Sequence, residues 1–365
     1  MRAVVFEQAG EPAAVADVDL AAPGPGEVTV QIAAAGVCHS DLHVRNGDWE
    51  LPVPLVMGHE GSGVVTELGS GVKDLQVGDH VVLSWVAPCG RCRFCLRGED
   101  VRCELAATTV ALGGNLYDGT SRLSRQGQRL NHYLGVSSFA EAAVVPASGA
   151  IKVRKDAPLD VLALVGCAVA TGVGAVINTA AVEAGSRVAV LGCGGVGLSV
   201  VQGARLAGAE RIVAIDLRRD KTALARALGA TDEVVVSDGD VADQLKEIAP
   251  DGFDYAFDAI GTSSTTEQCI EMLALGGAAV LVGIPASGVR ATFEPQNLVD
   301  RDQRILGSNY GGIRPSVDIP RIVDQYMNGQ IQLDPLVSGR RSLEEAEACL
   351  GELASGGVLR QLLIP

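Results

Sequence analysis

The chain has 365 residues, 47% of them hydrophobic but only 4% aromatic, with 45 glycines and a formal net charge of −15. That length exceeds one ordinary core and calls for two domains, and the composition suits an α/β protein that packs on Val, Ala, Leu and Ile. The acid excess argues against nucleic acid and against an anionic membrane surface, since both need clustered Lys and Arg.

From the N-terminus, residues 1–7 reach Glu7 before a signal-like apolar stretch can form. Up to about residue 160 the pattern is short strands separated by Gly and Pro, such as 28–32, 63–66 and 80–83, which predicts an irregular, mostly β domain. Within it Cys38-His39-Ser40-Asp41-Leu42-His43 follows a strand ending near Ala35, and Gly58-His59-Glu60-Gly61 precedes the next one. Four cysteines then crowd together as Cys89-x2-Cys92-x2-Cys95-x7-Cys103. Thiolates so close in sequence can converge on one tetrahedral Zn²⁺, and four protein ligands leave no open position, so this ion holds a loop. The cysteines number nine in all, without a secretory signal. That usage points to a reducing compartment and to the cytoplasm.

From residue 159 helical apolar spacing alternates with aliphatic runs at 187–191, 211–215, 233–236, 255–259 and 278–282. Buried parallel strands alternating with helices predict a doubly wound sheet. The most apolar window, 188–201, is broken by four glycines and is too short to span a bilayer. Strand 187–191 runs directly into Gly192-Cys193-Gly194-Gly195-Val196-Gly197 and an apolar helix through Leu206. In such a turn Gly192 permits the bend, Gly194 lets a pyrophosphate approach the backbone, and Gly197 lets the helix pack closely on the strand. Asp216 ends the next strand nineteen residues after Gly197. An acid there accepts the adenosine ribose hydroxyls and repels a 2′-phosphate, which favours NAD over NADP, although Arg218 and Arg219 follow it. The chain closes with helices at 319–327 and 343–354, a strand-like segment at 302–309 before them, and a final strand at 359–364 that can return to the first domain.

Spacing alone does not make a metal motif of Cys38, His59 and Cys167, the last at the start of a helix in Gly166–Gly172. Taken together, however, the cysteine quartet, the Gly58-His59-Glu60 triplet, the 166–172 segment and the 192–197 turn resemble, in order and separation, the zinc-dependent medium-chain alcohol dehydrogenases. The likeness covers essentially the whole chain. It includes a long loop at about 108–135, with segments 118–122 and 134–140 similar to the glutathione-dependent and liver-type classes. Mycothiol-dependent and aryl-alcohol bacterial enzymes are similar too.

That resemblance implies a GroES-like catalytic domain at 1–168 and 310–365 and a Rossmann domain at 169–309. It implies a catalytic zinc on Cys38, His59 and Cys167, with the fourth position left to substrate. Ser40 and His43 become a proton relay, Asp41 the carboxylate that orients His59, and Glu60 a neighbour of the metal. His39 and Arg360 match pyrophosphate contacts, and Thr171 and Val196 flank the nicotinamide. Gly195, Lys221, Ile260 and Ile284 complete the cofactor set. Trp49, Trp85, Tyr133 and Leu134 match pocket walls that suit a hydrophobic primary alcohol, aromatic or allylic, or its aldehyde. A thiol-dependent formaldehyde dehydrogenase is the competing enzyme reading, with Arg45, Arg122, Arg125 and Arg129 available for the thiol's carboxylates. A catalytically silent cofactor-binding relative is the non-enzymatic one. The long loop and residues 302–309 suggest a homodimer.

Overall fold

The computed structural model describes residues 1–238 and 241–365, and its contacts divide the chain into two units, 1–167 with 314–365, and 168–313. The first unit is built around one long strand, Glu27–Gly36. Val28, Val30 and Ile32 alternate into a buried cluster with Val65, Val81, Leu83 and Val145. β-Branched side chains on a two-residue period suit this largely buried central strand, and each one buried contributes about 1.5–3 kcal/mol. Glu60–Leu68 pairs antiparallel along the strand, Ala142–Pro146 pairs with residues 27–31, and the C-terminal strand Arg360–Ile364 pairs with 35–36. The final strand therefore completes a seven-stranded sheet begun by the N-terminal half of the chain. A six-stranded sheet with Arg2–Phe6, Leu55–Val56 and Gln128–His132 at its centre forms the rest of this unit.

The second unit holds a six-stranded parallel sheet in the spatial order Asp232–Val235, Arg211–Asp216, Arg187–Leu191, Phe253–Asp258, Leu273–Leu281, Arg304–Gly307. Numbered along the chain this is 3-2-1-4-5-6, the doubly wound order. Its switch point falls between Arg187–Leu191 and Phe253–Asp258, whose pairing is parallel. The aliphatic runs locate these strands to within a few residues. Leu273–Leu281 is longer than its apolar part because Gly276 and Gly277 interrupt it. The helix expected at 319–327 begins four residues earlier, at Pro315, since a proline at the first helical position loses no internal hydrogen bond. The segment 343–354 is a short 3-10 turn followed by helix Ala346–Ala354. Among the described residues no single helix is long and apolar enough to cross a membrane.

His132, at the end of Gln128–His132, is buried, and its Nε2 accepts the Arg122 backbone N–H at 3.2 Å. Burial, then the charges of Arg122 and Arg129, hold its ionisation down at about 3. A histidine depressed on folding binds its proton more readily when unfolded, so its contribution is complete above about pH 6.5 and is lost as pH falls toward 3. Thermal melts between pH 4.5 and 7 should therefore show a steeper acid loss for the native chain than for His132→Gln. The difference should reach up to about 1.4 kcal/mol per pH unit. Parallel curves would remove His132 as a source of acid sensitivity.

Candidate active site

Strand Glu27–Gly36 ends by delivering Val37 and Cys38 into the turn that starts helix His39–Asn46. The neighbouring strand starts at Glu60, paired with Gly36, so His59 and Glu60 emerge beside Cys38. Cys167 comes from the turn after the 3-10 segment Ala163–Gly166. One ligand atom each of Cys38, His59, Glu60 and Cys167 lies within 4.8 Å of the others. All four belong to the first unit.

Neighbouring side chains hold this group in place. Asp41 accepts the Cys38 backbone N–H at 2.8 Å with one oxygen and meets His59 Nδ1 at 3.1 Å with the other. Asp41 and His59 are both fully buried. With Nδ1 so occupied, His59 Nε2 is a buried nitrogen without a protein partner. A carboxylate on one ring nitrogen and an orphaned second nitrogen beside two thiols is the donor set of a metal-ligating imidazole. Arg360, also buried, donates to the Val37 carbonyl at 3.1 Å and lies 3.6 Å from Glu60. Ser40 Oγ is 3.8 Å from Cys38 Sγ.

The electrostatics carry the same message. The proton shared with Cys167 and the Arg360 charge bring the Cys38 thiol well below its usual range, whereas Cys167 is pushed up. Burial disfavours a charged His59, but Asp41 outweighs it and raises the imidazole. Burial lifts Glu60 to about 7 despite Arg360. The buried Cys38 thiol, the half-buried Cys167 thiol and two buried carboxylates crowd this spot against one guanidinium, and a divalent cation is the missing counter-charge.

The quartet forms a second centre. Cys89, Cys92, Cys95 and Cys103 bring their sulfurs within 4.8 Å of one another. Cys92 and Cys95 are 3.5 Å apart and Cys89 and Cys95 4.0 Å, spanning the ~3.8 Å edge of a tetrahedron with 2.3 Å Zn–S bonds. Backbone N–H groups of Cys95 and Glu104 lower Cys92 to about 6, whereas burial and its partner Cys92 push Cys95 up to about 12. Four thiolates cannot all ionise here without a cation.

In the second unit, Gly192 has φ +91°, and a Cβ there would stand 2.5 Å from Ile260. A Cβ on Gly197 would strike the Gly192 carbonyl at 1.7 Å, whereas Gly194 faces open space. The glycines thus divide into one that turns, one that packs and one that leaves a cradle before helix Gly195–Ala207, whose first N–H groups lack helical partners. Asp216 accepts the backbone N–H groups of Cys193 at 2.8 Å and Arg218 at 3.0 Å. Ile260 and Ile284, 47% and 53% exposed, follow the carboxyl ends of their strands, where doubly wound sheets bind ligands. Val196 and Lys221 are partly exposed, and Thr171 is buried in helix Ala168–Gly174. His39 is exposed in the first unit.

Of the expected pocket walls, Tyr133, Leu134 and Trp49 share one cluster with Val44, Leu55 and Met57. Tyr133 meets the His59 ring edge-on at 5.4 Å. Trp85 instead packs on the cluster of Val28, Val65 and Leu83. Asp48, which sequence reasoning passed over, lies 2.8 Å from His43 Nδ1. Its only sequence signal is the Gly47 before it, which ends the helix in a left-handed turn.

A thiolate–imidazole centre, a closed cysteine quartet and a Gly-rich nucleotide turn define a zinc-binding, nicotinamide-using dehydrogenase. Comparison with known proteins agrees. Residues 24–155 match the alcohol dehydrogenase GroES-like domain, and residues 195–326 match the zinc-binding dehydrogenase family. The chain is 39% identical to S-(hydroxymethyl)glutathione dehydrogenase of Synechocystis sp., over 99% of both chains. Benzyl alcohol dehydrogenase of Acinetobacter calcoaceticus superposes with a TM-score of 0.94 at 32% identity, over 100% of this chain and 98% of that one. A zinc-binding dehydrogenase of Sinorhizobium meliloti 1021, solved with NADP, gives 0.82 at 30%, over 100% and 99%. The chain belongs to the zinc-dependent medium-chain alcohol dehydrogenases, oxidoreductases whose cofactors are zinc and a nicotinamide dinucleotide.

The two centres should separate on mutation. Cys38→Ser should lose activity together with one zinc per subunit while melting close to the native chain. Cys95→Ser should first lower the melting temperature, on the order of 10 °C, because a closed site contributes folding energy. Full zinc content and full activity in Cys38→Ser would remove Cys38 from the open centre.

Proposed function

We propose that the protein oxidises hydrophobic primary alcohols, aromatic or allylic, with NAD and reduces the corresponding aldehydes, without an added thiol. The observation that carries the substrate class is the state of the four arginines that a carboxylate-bearing thiol would need. Arg122 is pinned by Glu27 at 2.8 Å and Asp118 at 2.6 Å, with its side chain 12% exposed. Arg125 pairs with Glu7, Arg45 with Glu347, and Arg129 donates to Asn115. Against this stand apolar walls, Tyr133, Leu134 and Trp49, in one cluster.

In this reading Cys38, His59 and Cys167 hold the catalytic zinc and the quartet holds the structural one. When bound, the zinc supplies Lewis acidity to the substrate hydroxyl and the dinucleotide exchanges the hydride. Asp41 keeps His59 in the tautomer and orientation that present Nε2. Ser40 Oγ, close to Cys38, takes the hydroxyl proton, and His43, whose side chain is 26% exposed, passes it toward solvent. Arg360 offsets the charge of Glu60 and the thiolates. Asp216 supports NAD, because one of its oxygens holds the Cys193 N–H in the turn after Gly192, the other holds the Arg218 N–H, and a 2′-phosphate would meet its charge. Strand Arg304–Gly307 is an edge strand of its sheet among the described residues, which supports a homodimer. The proposed location is the cytoplasm.

The thiol-dependent reading draws on the name of the Synechocystis relative. NADH formation over a panel of alcohols, beside formaldehyde with and without glutathione or mycothiol, decides between them. Turnover of benzylic or allylic alcohols without thiol is expected. Turnover of formaldehyde alone, and only with thiol, would establish the competing reading. For the cofactor, kcat/KM should favour NAD, and Asp216→Ala should narrow that preference by roughly tenfold or more, the worth of one charged contact. Equal efficiencies in the native enzyme would overturn it.

A further inference from the structure

We infer that Asp48 and Trp49 are positioning residues for the imidazole of His43, an inference that rests on the proton-relay reading above. Helix His39–Asn46 stops at Gly47, which takes the left-handed conformation at φ +81°. The chain doubles back, and the Asp48 N–H donates to the His43 carbonyl at 2.9 Å while the Gly47 N–H donates to Val44 at 3.1 Å. This return brings the Asp48 carboxylate to 2.8 Å from His43 Nδ1. Trp49, next in the chain, lays its indole along the imidazole with centroids 4.8 Å apart and planes 25° from parallel. Trp49 is itself packed against the buried cluster containing Val44 and Leu55, so it is a fixed wall.

The ring is thereby held in its own plane by the carboxylate and against tilting by the indole. A carboxylate accepts only, so a neutral His43 carries its hydrogen on Nδ1 and leaves the Nε2 lone pair open. Nε2 is then the atom that can receive a proton, which is the tautomer a relay in the oxidation direction requires. Two other charged side chains of the helix are engaged elsewhere. Arg45 is turned to Glu347 of helix Ala346–Ala354, and Asp41 is spent on Cys38 and His59.

The test uses the zinc-loaded, full-length enzyme and its His43→Gln, Asp48→Asn and Asp48→Glu variants. Zinc content and circular dichroism establish that each is folded. Two readouts are followed at fixed pH: kcat for benzyl alcohol oxidation with and without added imidazole, and the ¹⁵N NMR signature of the His43 tautomer. His43→Gln should lose about tenfold or more in kcat and recover with imidazole. Asp48→Asn should lose several-fold in kcat with little change in KM, recover with imidazole, and move the hydrogen off Nδ1. Asp48→Glu should restore both. An Asp48→Asn enzyme with native kcat and native tautomer, beside a rescuable His43→Gln, overturns the inference and leaves the relay standing. The same holds for loss in Asp48→Asn that imidazole does not rescue. A His43→Gln enzyme with undiminished kcat overturns the relay itself.

Discussion

The first unit depends on concentrating uncompensated charge at the end of one strand. Cys38, Asp41, His59, Glu60 and Arg360 are all buried within reach of the turn after Gly36. Burying such groups is tolerable only where each finds a partner. Asp41 finds His59 and the Cys38 backbone, and Glu60 finds Arg360. The two thiols share one guanidinium, Arg360, and His59 Nε2 has no hydrogen-bond partner, so a cation suits the place they leave. The approach is steric as well as electrostatic. A Cβ on Gly36 would stand 2.1 Å from Glu60 Oε2, and one on Gly166 would stand 2.7 Å from the Leu83 carbonyl. Side chains at those two positions would push apart the backbones that carry Cys38, Glu60 and Cys167.

The quartet solves a different problem with the same element. Its cysteines span Cys89 to Cys103, its four sulfurs lie within 4.8 Å of one another, and its neighbours Arg93 and Arg97 lie over Phe94 at 4.7 and 5.2 Å. Nothing in that geometry leaves a position for substrate. At the other centre one of the neighbours is a carboxylate, Glu60, lifted to about 7 and therefore able to exist without charge. The contrast between four thiols and a mixed set is what the proposal uses to assign a loop-holding role to one centre and a substrate-meeting role to the other.

What the sequence made legible follows from how local each feature is. The quartet and the Gly192–Gly197 turn are contiguous, and their chemistry could be argued from residue types at fixed spacing. The parallel strands were legible as aliphatic runs because both their faces are buried. Cys38, His59 and Cys167 are far apart in the chain, and only the pairing of Gly36 with Glu60 and the packing of Gly166 unite them. No periodicity encodes that, and family resemblance alone pointed to it. Asp48 escaped notice because its role depends on a left-handed turn at Gly47 that a one-dimensional pattern registers merely as a helix stop. Trp85 matched a pocket wall by position, and it packs on the strand core of Val28, Val65 and Leu83.

Composition bears on substrate choice through the same logic of partners. The chain carries 44 acids against 29 Lys and Arg, so a cation on its surface is surrounded by its own carboxylates. Arg122, Arg125 and Arg45 are each claimed in this way, by Glu27 and Asp118, by Glu7 and by Glu347. An anionic thiol adduct that took one of these three would leave an acid behind without its cation, whereas Arg129 is held by the neutral side chain of Asn115. A neutral aromatic alcohol needs no such exchange. It asks only for apolar walls and, in the proposed reading, for an open zinc position and a Ser40–His43 relay to carry its proton away.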